Sequence, residues 1–197
     1  VENALLIAES GEDGIFVFEN VPYGNWLIKE LQPADGYLVN NEIYPVRISE
    51  NGQTVGITVV NDRIPEIGTK ATANGEKTAA AEGDITIEDT VSYKHLIPGK
   101  AYTVKGILMD KATGKAFLVD GKELTSEVTF TPDESCGEVT VRFTFDGNKI
   151  TKQTDLVVFE TLYRDGAELA AHADIEDGGQ TVTLTPPKPD IPQTGDN

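Results

Sequence analysis

Thr69, Asp89, Glu160 and Gln180 are polar residues in apolar company. Side chains alternate sides along a β-strand, so residues at i±2 share a face. Thr69 lines up with Ile67, Ala71 and Ala73; Asp89 with Ile87, Val91 and Tyr93; Glu160 with Val158 and Leu162; Gln180 with Val182 and Leu184. All four are expected to point inward. Burying carboxyl and amide groups without partners costs several kcal/mol each, so a core that holds them should bring them together. Any one of them alone reads as a half-solvated residue at a strand end or bulge; four together read as one constellation. With His172 they are the residue types of general acid–base and nucleophilic chemistry. A hydrolase built from His172, Glu160 and Asp89 would need an open pocket, whereas inward strand positions imply a closed core. The acidic run Asp174, Glu176 and Asp177 lacks the regular ligand spacing and loop glycine of a calcium site and reads as a solvated turn. Neither a metal nor a cofactor is expected.

The elements that position these residues are strands. No long segment keeps a 3.6-residue period, and short alternating runs lie between clusters of Gly, Pro, Asn and Asp, which predicts an all-β chain. Its 197 residues suit two modules. The first, residues 1–64, has candidate strands at Ile15 to Phe18, Asn25 to Leu31, Ile43 to Ile48 and Thr54 to Asn61, enough for a thin sandwich. The second, residues 65–185, has seven: Ile67 to Ala73, Ile85 to Lys94, Ala101 to Asp110, Glu127 to Phe130, Val139 to Phe145, Asp155 to Tyr163 and Gln180 to Leu184. Seven such strands predict an immunoglobulin-like sandwich. Residues 186–197 are proline-rich and are expected to form an extended tail.

Composition removes several function classes. The formal charge of −17 repels phosphate backbones and anionic membranes, so no nucleic-acid partner is expected. The single cysteine, Cys136, lies among carboxylates that disfavour its thiolate, which leaves any cross-link to other chemistry. No apolar run reaches membrane-spanning length, and the first residues lack a signal-peptide pattern, so the sequence reads as a segment cut at both ends.

The second module resembles the threonine–glutamine ester-bond domains, or VaFE repeats, of Gram-positive adhesins and pilus-like proteins. The resemblance runs from about Glu66 to Leu184. It is carried by Ile67-Gly68-Thr69, Asp89-Thr90-Val91-Ser92-Tyr93 with Leu96-Ile97-Pro98-Gly99, Val157-Val158-Phe159-Glu160, and the spacing His-x-Asp-x-x-Asp-x-x-Gln from His172 to Gln180. It implies an internal ester between Thr69 and Gln180, assisted by Asp89, Glu160 and His172, with Asp177 on a further motif position. The residue types suit that reaction: a hydroxyl attacking a carboxamide needs a base beside the hydroxyl and a donor at the developing oxyanion. Two buried acids supply both if one of them keeps its proton. The bond would form once per chain, without turnover.

Residues Gly11 to Asn61 resemble a collagen-adhesin B-type, or SpaA-type pilin, domain. Gly14 to Gly24 and Leu27 to Tyr37 carry the resemblance. Glu30 shares a face with Trp26 and Ile28, and Asn61 with Val55, Ile57 and Val59. The resemblance implies a lysine–asparagine isopeptide with Asn61 as partner and Glu30 as the assisting acid. The lysine is expected before Val1, so Asn61 is expected to be unreacted here. In the tail, Ile191-Pro192-Gln193-Thr194-Gly195 resembles the Leu-Pro-x-Thr-Gly sorting signal, with Ile in place of Leu. It implies sortase as a partner and transfer of the Thr194 carbonyl to a peptidoglycan or pilin amine. The expected function is a structural stalk segment of an extracellular, wall-anchored Gram-positive adhesin or pilin. The rival is a module that binds a host matrix protein or glycan, although Trp26 and most Tyr and Phe fall in strands, where core packing is the default.

Overall fold

A computed structural model describes residues 4–186. The chain divides between Ile64 and Pro65 into two compact units. In the first, β1 (Gly24–Lys29) and β2 (Ile43–Ile48) form an antiparallel pair in which Trp26 faces Val46 and Ile28 faces Tyr44. Residues 15–18 and 54–61 do not join a ladder. This differs from the four strands expected. Alternating sequence makes a segment compatible with a sheet, but a strand needs a neighbouring strand to pair its N–H and C=O groups, and among the described residues none pairs with these two segments. Leu27 and Ile43, on the outer face of the pair, are 73% and 57% exposed.

The second unit is built from β3 (Glu66–Ala73), β4 (Thr78–Ala80), β5 (Asp84–Lys94), β6 (Tyr102–Asp110), β7 (Lys115–Ala116), β8 (Leu118–Val119), β9 (Lys122–Glu123), β10 (Thr125–Phe130), β11 (Gly137–Asp146), β12 (Thr154–Arg164), β13 (Ala167–His172) and β14 (Thr181–Thr185). One sheet has the order β11-β5-β3; the other has the order β10-β6-β12-β14-β4, with β13 added on β12 and β7 on β6. All of these pairs are antiparallel except β14 with β4. The two inner faces make one core. Ile85, Ile87 and Val91 of β5, Val104 and Leu108 of β6, and Leu156, Val158 and Leu162 of β12 are fully buried. Each such side chain contributes roughly 1.5–3 kcal/mol by leaving water.

All seven strands expected here are present. Strand β13 is an addition. Its sequence, Ala-Glu-Leu-Ala-Ala-His, has little β-branched or aromatic character and its burial does not alternate cleanly. It forms because β12 has a free edge beyond Val157, which it joins from Glu160 to Arg164, with a register shift at Leu162/Tyr163. The sorting pentapeptide Ile191 to Gly195 lies outside the described residues.

Gly106 of β6 stands directly opposite Glu160 and makes room for a side chain from the other sheet: a Cβ there would sit 2.6 Å from the Phe143 ring and 3.2 Å from Val141 Cγ1. Gly106→Ala therefore overpacks the core. We expect a loss of about 1–3 kcal/mol in denaturant unfolding; an unchanged midpoint would show that Phe143 can yield.

Candidate functional site

The sandwich brings the polar residues together. Thr69 on β3 and Asp89 on β5 are diagonal neighbours on one inner face, since Thr69 pairs with Val91 and Ala71 with Asp89. Glu160 projects from the middle of β12 in the facing sheet. Asp89 and Gln180 are 0% exposed and Glu160 is 1% exposed. His172, whose facing is unreadable from the sequence, ends β13 directly across from Glu160.

Gln180 occupies a structural break. Strand β14 pairs with β12 up to Val157, β13 takes over the same edge at Glu160, and Gln180 sits where one partner hands over to the other. Its Nε2 donates to Val158 O (2.6 Å), to His172 O (3.1 Å) and to Glu160 Oε2 (3.3 Å). Its own backbone carbonyl accepts from Val158 N–H at 3.1 Å. The side-chain nitrogen is thus held from three directions, while the side-chain oxygen is not.

The buried side-chain atoms without a hydrogen-bond partner are Thr69 Oγ1, both Asp89 oxygens, Glu160 Oε1, His172 Nδ1 and Gln180 Oε1. All belong to these five residues, so every such atom among the described residues lies in one constellation. Leaving one of these groups unpaired in a core costs about 1–3 kcal/mol.

Burial pushes the Glu160 carboxyl up to about 10, and the neighbouring Asp89 carboxyl pushes the same way; the Gln180 amide and the Thr69 hydroxyl beside it oppose them only in part. Burial also raises Asp89, against contact with Glu160 and positive charge at His172 and Lys77. Two acids this close in a dry core share one proton. It resides on Glu160, the more strongly raised of the two. The pair influences each other's protonation without a hydrogen bond of full geometry between them.

Asp177 holds the turn that carries Gln180. Its Oδ2 lies 3.2 Å from His172 Nε2, its Oδ1 accepts from Gly179 N–H at 2.6 Å, and its carbonyl accepts from Thr181 Oγ1 at 2.7 Å. The acidic run therefore divides its partners: Asp174 Oδ1 accepts from Glu176 N–H, and Glu176 pairs with Lys111 at 3.2 Å.

One residue of the site was not legible beforehand. Lys77 follows the Asn74-Gly75 turn after β3, and its Nζ donates to three carbonyls around Gln180: Gly178 (3.2 Å), Gly179 (2.5 Å) and Thr181 (3.1 Å). Nothing in the local sequence separates it from an ordinary turn lysine. In the first unit, Asn61 Nδ2 donates to Glu30 Oε2 at 2.7 Å and to Leu38 O at 3.0 Å, so the two residues that the resemblance couples lie within hydrogen-bond distance. Glu30 Oε2 also accepts from Asn40 N–H at 2.5 Å.

Residues 65–184, more than half the chain, match the family model described as the T-Q ester bond containing domain. The chain belongs to this T-Q ester bond family. Residues 4–63 match the SpaA prealbumin-like fold domain. Neither is an enzyme family. Among solved structures, a bacterial adhesin from Mobiluncus mulieris described as containing intramolecular disulfide, isopeptide and ester bond cross-links aligns at TM-score 0.55 and 20% identity, covering 64% of this chain and 58% of that one. It aligns equally in two crystal forms. That likeness shows the fold of the T-Q chain. The major pilin subunit of Bacillus cereus aligns at TM-score 0.42 and 13% identity over 90% of this chain and 59% of that one. This chain thus spans less than two thirds of either protein. No curated protein matches. Among the described residues no helix is long and apolar enough to cross a membrane.

Proposed function

We propose that the second unit joins Thr69 to Gln180 by an intramolecular ester, and that the chain is a stalk segment of a sortase-anchored, extracellular adhesin or pilin of a Gram-positive cell wall. The observation that carries the ester is the confinement, among the described residues, of all unpartnered buried side-chain atoms to Thr69, Asp89, Glu160, His172 and Gln180. In the proposed reaction ionised Asp89 accepts the Thr69 hydroxyl proton as Oγ1 attacks the Gln180 Cδ. Protonated Glu160 hydrogen-bonds the carbonyl oxygen as it gains charge. The Cδ–Nε2 bond breaks, and His172 assists delivery of a proton to the nitrogen, which leaves as ammonia. One C–O bond replaces one C–N bond, and the proton removed from Thr69 is accounted for on the ammonia. The closed core then protects the ester from water.

A bond from the first strand of the unit to the start of the last gives tension a covalent path that bypasses the sheet hydrogen bonds. Intact mass tests the reading. The wild-type chain is expected to weigh one ammonia less than its sequence, and Thr69→Ala or Gln180→Ala to weigh the full sum; full sequence mass in the wild type would sink the ester. The deficit is expected to be one ammonia and not two. The only lysine before Lys70 is Lys29, exposed at the end of β1 on the face away from Trp26 and Ile28, so Asn61 is expected to keep its amide.

Anchoring rests on Ile191 to Gly195. Incubation with a sortase and an amine nucleophile is expected to exchange Gly195-Asp196-Asn197 for the amine, and Thr194→Ala to abolish the exchange. No product with any of a panel of sortases would remove the anchoring claim and leave the ester untouched.

A further inference from the structure

We propose that Lys77 is a positioning residue for ester formation: its ammonium gathers the carbonyls of residues 178, 179 and 181 into one cage and so presents the Gln180 side chain to Thr69. The inference rests on the ester reading and deepens it.

A lysine ammonium has three N–H donors and no acceptor, and here three carbonyl oxygens receive them. The three carbonyls flank Gln180 on both sides, so the cation contacts the backbone that carries the electrophile and not the electrophile itself. Two of them are shared with other ties: Gly179 O also accepts from Ala71 N–H at 3.0 Å, on the strand that carries Thr69, and Gly178 O accepts from Thr181 N–H at 3.4 Å. Lys77 is tied in turn to the last strand, because its carbonyl accepts from Thr183 N–H at 2.8 Å. The ammonium is therefore a bracket between the turn after β3 and the turn before β14. Asp177 holds the amide and hydroxyl donors of the same turn, and Lys77 holds its carbonyls.

A turn whose carbonyls converge has a concentration of negative dipole ends, which disfavours an ionised carboxylate nearby. A cation at their focus reverses that field. Asp89 is the group that feels it: besides Lys77, the charged or titratable groups facing it are Glu160 from β12 and His172 from β13, and the backbone of Lys70 on β3 also acts on it. Burial lowers the Lys77 ammonium from its ordinary value; Asp89 and Asp177 oppose that shift, and Lys70 adds to it. Lys77 thus serves both partners of the reaction, by fixing the Gln180 backbone and by favouring the ionised base.

The test uses full-length chain isolated unfolded from inclusion bodies and diluted from denaturant into buffers spanning about pH 5 to 10, with intact mass of quenched aliquots giving the rate of ammonia loss. Lys77→Met is expected to slow the loss about 10- to 100-fold, the range of a misplaced reacting group. It is also expected to move the acid limb of the pH–rate profile upward. Lys77→Arg, which keeps the charge, is expected to retain the wild-type limb. Wild-type kinetics in Lys77→Met, or slowing by the same factor at every pH, would overturn the proposal. To separate chemistry from folding, Lys77→Met is also made in the Thr69→Ala background, where recovery of the native β signal must match Thr69→Ala alone. Absence of ammonia loss in the wild type would instead defeat the ester reading and this inference with it.

Discussion

Thr69→Ala is expected to lower the melting temperature of the second unit by roughly 15–20 °C. The ester would close a loop of roughly 110 residues, and restraining such a loop in the unfolded chain is worth about 4–5 kcal/mol by analogy with disulfides. A unit of this size shifts by about 4 °C per kcal/mol. The substitution itself is mild. It removes a hydroxyl that has no hydrogen-bond partner and replaces it with the residue type that already lines the same face at Ala71 and Ala73. Almost all of the loss would therefore come from the missing bond. Gln180→Ala should lose more, because Thr69→Ala keeps the unreacted amide that bridges β13 and β14 through Val158 O and His172 O, whereas Gln180→Ala removes it along with the bond. Calorimetry of both variants beside the wild type decides the matter; a Thr69→Ala melting point within a few degrees of wild type would mean that no covalent tie is present.

The second large effect is on pH. Without the ester, Glu160 keeps its proton in the folded state up to about 10, whereas in the unfolded chain it ionises near its ordinary value of 4.5. Below that value both states hold the proton and nothing is lost. Between the two values unfolding releases a proton, so stability falls as pH rises, at up to about 1.4 kcal/mol per unit, and levels off above the folded value. Asp89 is raised too and adds in the same sense. Thr69→Ala is thus expected to melt several degrees lower at pH 8 than at pH 5, and Glu160→Gln in that background to flatten the slope. A melting point that rises over this range would refute a proton held on Glu160. The same proton governs the chemistry: ester formation should accelerate as Asp89 ionises and fail as Glu160 loses its proton near 10. Glu160→Gln should slow it by about 10²–10⁴-fold.

Strand alternation is a local rule, and it sufficed for much of this protein. Whether Thr69, Asp89, Glu160 and Gln180 face inward depends only on their neighbours at i±2, and Asp89, Glu160 and Gln180 are buried as those neighbours imply. The seven main strands of the second unit were legible for the same reason; the meeting of Glu30 with Asn61 was implied by the family resemblance and not by alternation. The first unit shows where that rule stops. Residues 15–18 and 54–61 have strand-like patterns, yet pairing is a property of two segments, and among the described residues of this unit only β1 and β2 form a ladder.

The chain's composition, period and residue types determined an all-β protein with a hydroxyl, two acids and a carboxamide inside it. Tertiary structure alone decided how they are armed. Strand β13 is specified by the open edge of β12 and not by its own alanines, and only its register sets His172 opposite Glu160. The hand-over from β14 to β13 creates the break that holds the Gln180 amide, and the convergence of three carbonyls turns Lys77 from a turn residue into part of the site. These features depend on atoms more than twenty residues apart or on the meeting of separate strands, where no local pattern carries the information.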